Sequence, residues 1–190
     1  MSIAENIAAV RSRIAAAAES AGRRPEDITL VGASKMNDAA ACQEAIAAGI
    51  DALGENRVQE MTAKLAEDAY RGAPGIVQDI LLEVNIGGEE AKSGFAPDAV
   101  EQAAAQAKTL AHVRVRGLMT IPPADATREE NMAYFAKVRA LYVDISRKMY
   151  DNGLEYLSMG MSGDFADAIR AGANMVRVGS AIFGARDYSK

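Results

Sequence analysis

Lys35 stands directly after the apolar run ITLVGAS at 28–34, which places its amine at the carboxyl end of a buried strand. Open and closed α/β folds carry their active sites on that edge. A lysine partly withdrawn from water there loses proton affinity and becomes a nucleophile able to form a Schiff base with a carbonyl compound. The plain alternative is a solvated lysine at the start of a loop. Towards the other end of the chain, Gly179 and Ser180 follow the apolar run Met175 to Val178 and open a short helix. Backbone N–H groups at such a start approach a phosphate closely in the positive field of the helix. A small polar cluster, Ser158 to Ser162, ends the preceding strand. In barrels the last two loops are a frequent phosphate site, although two ordinary βα turns would read the same.

Charges inside strands are the second signal. Arg177 lies within MVRVG, and strand interiors rarely bury arginine without a partner. It either bridges to Glu83 or presents a permanent cation to a ligand. Glu83 and Asn85 belong to the buried strand QDILLEVNI, where an unpaired carboxylate is expensive, so Glu83 is expected to pair with a cation such as Arg114 or Arg116. Asn56, after a second short strand, either caps its helix or reaches a ligand from the rim. Arg57 is equally open between a phosphate contact and a helix-surface charge. Lys92 in GGEEAKSGF is a weaker nucleophile candidate because its polar neighbours keep it wet. His112, the one histidine, has no Ser, Cys or Asp at a suggestive spacing and reads as structural. No cluster has metal-ligand spacing, and the nine methionines are scattered like core filler.

The elements that must position these residues alternate regularly. Ser2 and Glu5 form a capping-box pattern ahead of the stripe Ile3, Ile7, Val10 and Ile14, which reads as a structural first helix. Asn37 can cap a helix ending at Gly49, with strands at 28–34, 50–54, 78–86, 112–121 and 154–159, helices between them, and a closing helix and strand. Helices are expected over about 56–70, 97–110 and 128–150. HVRVRGLMTI alternates polar and apolar residues before becoming wholly apolar. Six strands with intervening helices demand a parallel sheet with right-handed crossovers. The chain of 190 residues reads as one domain, short for a full barrel of about 250 residues. Its net charge of −5 carries no footprint for nucleic acid, and no apolar run is long enough to cross a bilayer. The single cysteine, Cys42, fits a reducing compartment, so a cytoplasmic protein is expected.

The blocks ITLVGASK, GENRVQE, LLEVNIGGEEAKSGF, RGLMTIPP, LSMGMSGDFADAI and VRVGSAIFGARDYSK, in that order, resemble the pyridoxal phosphate homeostasis protein family, single-domain relatives of the alanine racemase barrel. The resemblance runs from the first helix to the last residue. It implies a TIM-type (β/α)8 barrel spanning 1–190 that holds pyridoxal 5′-phosphate as a Schiff base on Lys35. It implies further that Ser162, Gly179 and Ser180 hold the phosphate, Asn56 and Met159 line the ring, and Arg177 faces the pyridine nitrogen. The chain departs from that family at one place. Between Pro74 and Gly75 two further βα units, with HFIGHLQ-like and HSVDS-like strand ends, are absent. Six strands cannot simply replace eight around one pocket. Either a segment is left out there, which the close match of every retained block favours, or the deletion is real and the sheet is open or rearranged.

The implied role is reversible binding and delivery of the cofactor without established turnover, with pyridoxal-phosphate-dependent apo-enzymes as recipients and a monomer as the default. An amino-acid racemase is the alternative. It needs an acid/base opposite Lys35 and resembles a longer protein whose second domain supplies one, and the sequence after Gly184 is too short for that domain. A sugar-phosphate aldolase using Lys35 on its substrate is a third reading, which predicts no bound chromophore.

Overall fold

A computed structural model describes residues 2–35, 37–54, 78–110 and 113–184. Helix α1 (Ile3–Ser20) opens with the expected capping box: the Ser2 hydroxyl accepts from Glu5 N–H, and the Glu5 carboxylate accepts from Ser2 N–H. Ile7, Val10 and Ile14 are buried along one stripe, each contributing about 1.5–3 kcal/mol by transfer from water. Strand β1 (Thr29–Ala33) is followed by α2 (Ala39–Ala47), whose N-cap is Asp38 and not Asn37. The Asp38 carboxylate accepts from Ala41 N–H at 2.8 Å, while the Asn37 amide is taken up by the Lys35 carbonyl, which moves the helix start one residue on. Gly49, at φ +82°, ends that turn where a side chain would be strained. Then come β2 (Ala52–Gly54), β3 (Gln78–Val84), α3 (Val100–Lys108), β4 (Val113–Thr120), α4 (Arg128–Met149), β5 (Tyr156–Ser158), α5 (Phe165–Arg170), β6 (Met175–Val178) and α6 (Ser180–Phe183).

All strand pairs are parallel, in the order β2-β1-β6-β5-β4-β3. Among the described residues this is a curled six-stranded sheet with edges at β2 and β3, not a closed eight-stranded barrel. The order is cyclic apart from one break, and that break falls between the strands flanking 55–77. Pro74 and Gly75, where the family resemblance implies two missing units, lie outside the described residues. Leu30, Leu82, Val84, Leu118, Leu157, Val176 and Val178 turn towards the helices and form the core with Ile14, Phe135, Val138 and Phe165. The alternate positions, including Glu83, Met119 and Arg177, face the other side. Because every strand runs the same way, all their carboxyl ends lie on one edge.

Charge pairing at the opposite, amino edge differs from the sequence reading. Arg114 donates to both carboxylate oxygens of Asp79 at 2.6 and 3.0 Å, and Arg116 reaches Asp79 and Glu155. Neither arginine meets Glu83. In the parallel register Asp79 lies across from Arg114, whereas Glu83 lies across from Met119 at the far end of the strands.

A second ion cluster ties α4 to α5: Asp167 accepts two hydrogen bonds from Arg128 at 2.7 and 2.8 Å and one from Arg170 at 2.8 Å. Arg128 first, then Arg170, holds the Asp167 carboxyl below its ordinary range against the opposing effect of burial. A depressed folded-state pKa gives stability that is present above the unfolded value of about 3.9 and is lost as pH falls through the folded value. Asp167→Asn is therefore expected to cost about 1 kcal/mol at neutral pH, with the gap closing on acidification below about pH 4. Urea unfolding of both proteins across that range checks it, and a gap independent of pH would refute it.

Candidate functional site

The carboxyl edge gathers most of the residues singled out in the sequence. Lys35 directly follows β1 and Ser34, whose N–H donates to the Gly54 carbonyl of β2 at 3.0 Å. It is half-buried, and among the described residues no carboxylate lies within ion-pair distance of its amine. On the neighbouring strand β6, Gly32 pairs with Val178, so Gly179 lies beside Ala33, two residues before Lys35. A Cβ on Gly179 would come 3.4 Å from the Ala33 Cβ, an ordinary contact.

Ser162 lies in the loop between β5 and α5. Its hydroxyl accepts from Gly179 N–H and Ala181 N–H, both at 3.4 Å, so two backbone donors at the start of α6 converge on one oxygen. These are long bonds, and an anionic oxygen is a stronger acceptor for the same donors. Ser180, between them, is exposed. Helix α1 holds α6 in place through the Asn6 amide, which donates to the Ile182 carbonyl at 2.7 Å. Gly160, at φ +93°, allows the loop to pass α5: a Cβ there would lie 2.6 Å from Ala168 Cβ and 2.8 Å from Phe165 Cα.

Arg177 points across the sheet from its inner face. One guanidinium nitrogen donates to the Ser158 hydroxyl on β5, and the other donates to the Thr120 carbonyl at the end of β4 at 3.0 Å. The Thr120 hydroxyl in turn donates to the Val84 carbonyl of β3 at 2.7 Å. Burial lowers the proton affinity of Arg177, and the carboxylates of Glu83 and Asp164 act against that shift. No Glu83–Arg177 hydrogen bond forms; the carboxylate acts on Arg177 through its field alone. A guanidinium remains charged throughout the working pH range.

Two further candidates, Met159 and Lys92, lie within the described residues. Met159 has no exposed surface and belongs to the core beneath this edge. Asn56, Arg57 and His112 lie outside the described residues. Lys92 is not simply wet: it pairs with Glu89 at 2.6 Å and donates to the Pro122 carbonyl at 3.0 Å. It borders a groove of about 680 Å³ between the loops after β4 and β5, lined also by Ile121, Pro123, Asn131 and Asp164. Sequence reasoning missed Ser158 and Thr120 as partners of Arg177. Their only signal was that each is a small polar residue closing a buried strand.

One edge thus offers convergent backbone donors, hydroxyls, an amine with no counter-ion among the described residues and a fixed guanidinium. That donor set suits an anionic ligand carrying a carbonyl group. Among the described residues no group of side chains could hold a metal ion, and no helix is long and apolar enough to cross a membrane.

The alanine racemase N-terminal domain family matches residues 60–187. The pyridoxal phosphate homeostasis protein of Pseudomonas aeruginosa is 38% identical over 229 aligned positions, covering 98% of this chain and 96% of that protein. Since this chain has 190 residues, at least 39 of those positions have no counterpart in it. A crystal structure of an unknown protein from Bifidobacterium adolescentis superposes with a TM-score of 0.85 at 31% identity, covering 95% of this chain and 94% of that one. PipY of Synechococcus elongatus, solved with PLP bound, superposes with a TM-score of 0.77 at 28% identity, covering 96% of this chain and all of that one. The chain belongs to the pyridoxal phosphate homeostasis protein family, which is built on the alanine racemase N-terminal domain.

Proposed function

We propose that this chain binds pyridoxal 5′-phosphate at the carboxyl edge of its sheet and serves vitamin B6 homeostasis by holding and delivering the cofactor, without turnover of its own. Lys35 carries it as a Schiff base. Ser162, Gly179 and Ser180 hold the phosphate, with the N–H groups now directed at Ser162 turning to its oxygens. Asn56 and Met159 line the ring, Met159 being fully buried before the cofactor enters. Arg177 faces the pyridine nitrogen. When bound, the cofactor supplies an electrophilic aldehyde joined to an electron-withdrawing ring. The observation that carries this reading is the position of Arg177, fixed by Ser158 and the Thr120 carbonyl on the inner face. A cation that does not surrender its proton leaves the pyridine nitrogen unprotonated, which weakens the ring as an electron sink; racemases of the related fold tolerate the same arrangement, so a racemisation assay decides between carriage and catalysis.

The cyclic strand order supports a (β/α)8 barrel as the parent architecture, closed between β2 and β3, within a single domain over 1–190. The protein acts in the cytoplasm as a monomer and passes its cofactor to pyridoxal-phosphate-dependent apo-enzymes. The visible absorption spectrum before and after borohydride reduction tests the proposal. Wild type is expected to show a Schiff-base band that reduction bleaches, with the cofactor then fixed to Lys35, and Lys35→Ala is expected to lack the band. No band in wild type, or its full survival in the variant, refutes the assignment. Racemisation of amino acids by the loaded protein would replace carriage with catalysis.

A further inference from the structure

At the amino edge of the sheet, opposite Lys35, a cavity of about 430 Å³ opens between α4, the end of α5 and the turn after α1. Its rim carries Arg23, Arg139 and Arg170, and Leu157, Ala21 and Ala171 contribute apolar surface. Arg170 is committed to Asp167. Arg23 donates to the Ile169 and Ala173 carbonyls at 3.2 and 2.5 Å, closing the end of α5, but no carboxylate pairs with it among the described residues. Asp27, which acts on Arg23 from a distance, is held by Arg24 at 2.6 Å. Arg139 has no ion pair among the described residues either, although it and Arg23 are near enough for each to oppose the other's charge.

The backbone is shaped to seat Arg139. Gly172 has φ +108°, and a Cβ built on it would fall 2.2 Å from an Arg139 guanidinium nitrogen and 2.7 Å from its central carbon. Glycine adopts that conformation without strain, and the Arg139 side chain occupies the space beside it. In a chain of net charge −5, two cations facing one cavity with no counter-ion among the described residues form a local arrangement that an anion would complete. We propose that this cavity binds a small organic oxyanion, a phosphomonoester or a carboxylate. Arg139 and Arg23 meet its charged end by forked hydrogen bonds, and Leu157 and the flanking alanines meet its apolar part.

The proposal is independent of the cofactor reading, because its reporters lie on the other edge. Isotope-labelled protein, loaded with pyridoxal 5′-phosphate, reduced with borohydride and freed of excess cofactor, is titrated at constant ionic strength with inorganic phosphate and separately with succinate. The amides of Gly172 and Asn174 and the Arg139 side chain are followed by NMR. Saturable shifts are expected at all three, with an affinity lowered by about tenfold or more in Arg139→Ala, the loss of one charge-assisted partner. Arg147→Ala, which removes an exposed arginine already paired with Asp144, is expected to bind like wild type. A tighter phosphate arm assigns phosphomonoesters, and a tighter succinate arm assigns carboxylates. Shifts that never saturate, or that persist unchanged in Arg139→Ala, overturn the proposal.

Discussion

Gly117→Ala is expected to lower the stability of this protein by about 3 kcal/mol or more, a large share of the roughly 5–15 kcal/mol that holds a domain folded. A Cβ at this position would lie 1.8 Å from the Tyr156 carbonyl oxygen, 2.7 Å from its carbon and 3.0 Å from Tyr156 Cα. These are backbone atoms of the neighbouring strand, so no rotamer change relieves the clash. They are also held from both sides, since Gly117 pairs with Tyr156 and Leu81, and Glu155 N–H donates to the Arg116 carbonyl at 2.8 Å. Strands β4 and β5 would have to part, exposing Leu118 and Leu157, both at the centre of the core. Thermal unfolding is expected to fall by about 6–12 °C at the usual 2–4 °C per kcal/mol for chains of this size. Gly163→Ala, where nothing lies within 4 Å of the added methyl, is the control and should stay within about 0.5 kcal/mol. A Gly117→Ala midpoint within a degree or two of wild type would show that the strands accommodate the methyl.

The same strand shows what a sequence displays and what it withholds. HVRVRGLMTI changes from alternation to a continuous apolar run, and the structure places a bulge at that change: Ile80 pairs with Val115 and Leu81 with Gly117, leaving Arg116 as the extra residue. Before the bulge Val115 faces the core, and after it Leu118 and Thr120 do, so the buried parity switches from odd to even. The change was visible because periodicity is a local property. Which residue lies opposite is set by register, and register sends Arg114 to Asp79 and away from Glu83. For the same reason the capping box of α1, contained within four residues, was legible, while the choice between Asn37 and Asp38 depended on the turn that follows Lys35. The edge carrying Lys35, Ser162, Gly179 and Ser180 followed from strand polarity alone. The clamp on Arg177 did not, because Ser158 and Thr120 meet it only after β4, β5 and β6 are aligned.

That clamp makes Arg177→Met the substitution with the widest consequences for the site. Removing the guanidinium strands the Ser158 hydroxyl, 1% exposed, and the carbonyl of Thr120, 0% exposed, which together lose their partners without gaining water. It also takes away the cation that lies in the field of Glu83 and Asp164. Breaking a buried charged contact costs about 3–5 kcal/mol when one partner is deleted; Arg177 is only half-buried, so about 2–3 kcal/mol is the expected loss. Arg177→Lys keeps the charge but cannot fork between Ser158 and the Thr120 carbonyl, and should recover part of the stability. A purely structural clamp predicts nothing more. If Arg177 faces the pyridine nitrogen as proposed, the loaded Arg177→Met protein gains a ring nitrogen able to take up a proton. Its visible spectrum should then change with pH across the neutral range, while that of wild type stays constant. Equal pH-independence of the two spectra, alongside the loss of stability, would leave Arg177 as a strut of the sheet and remove it from the cofactor.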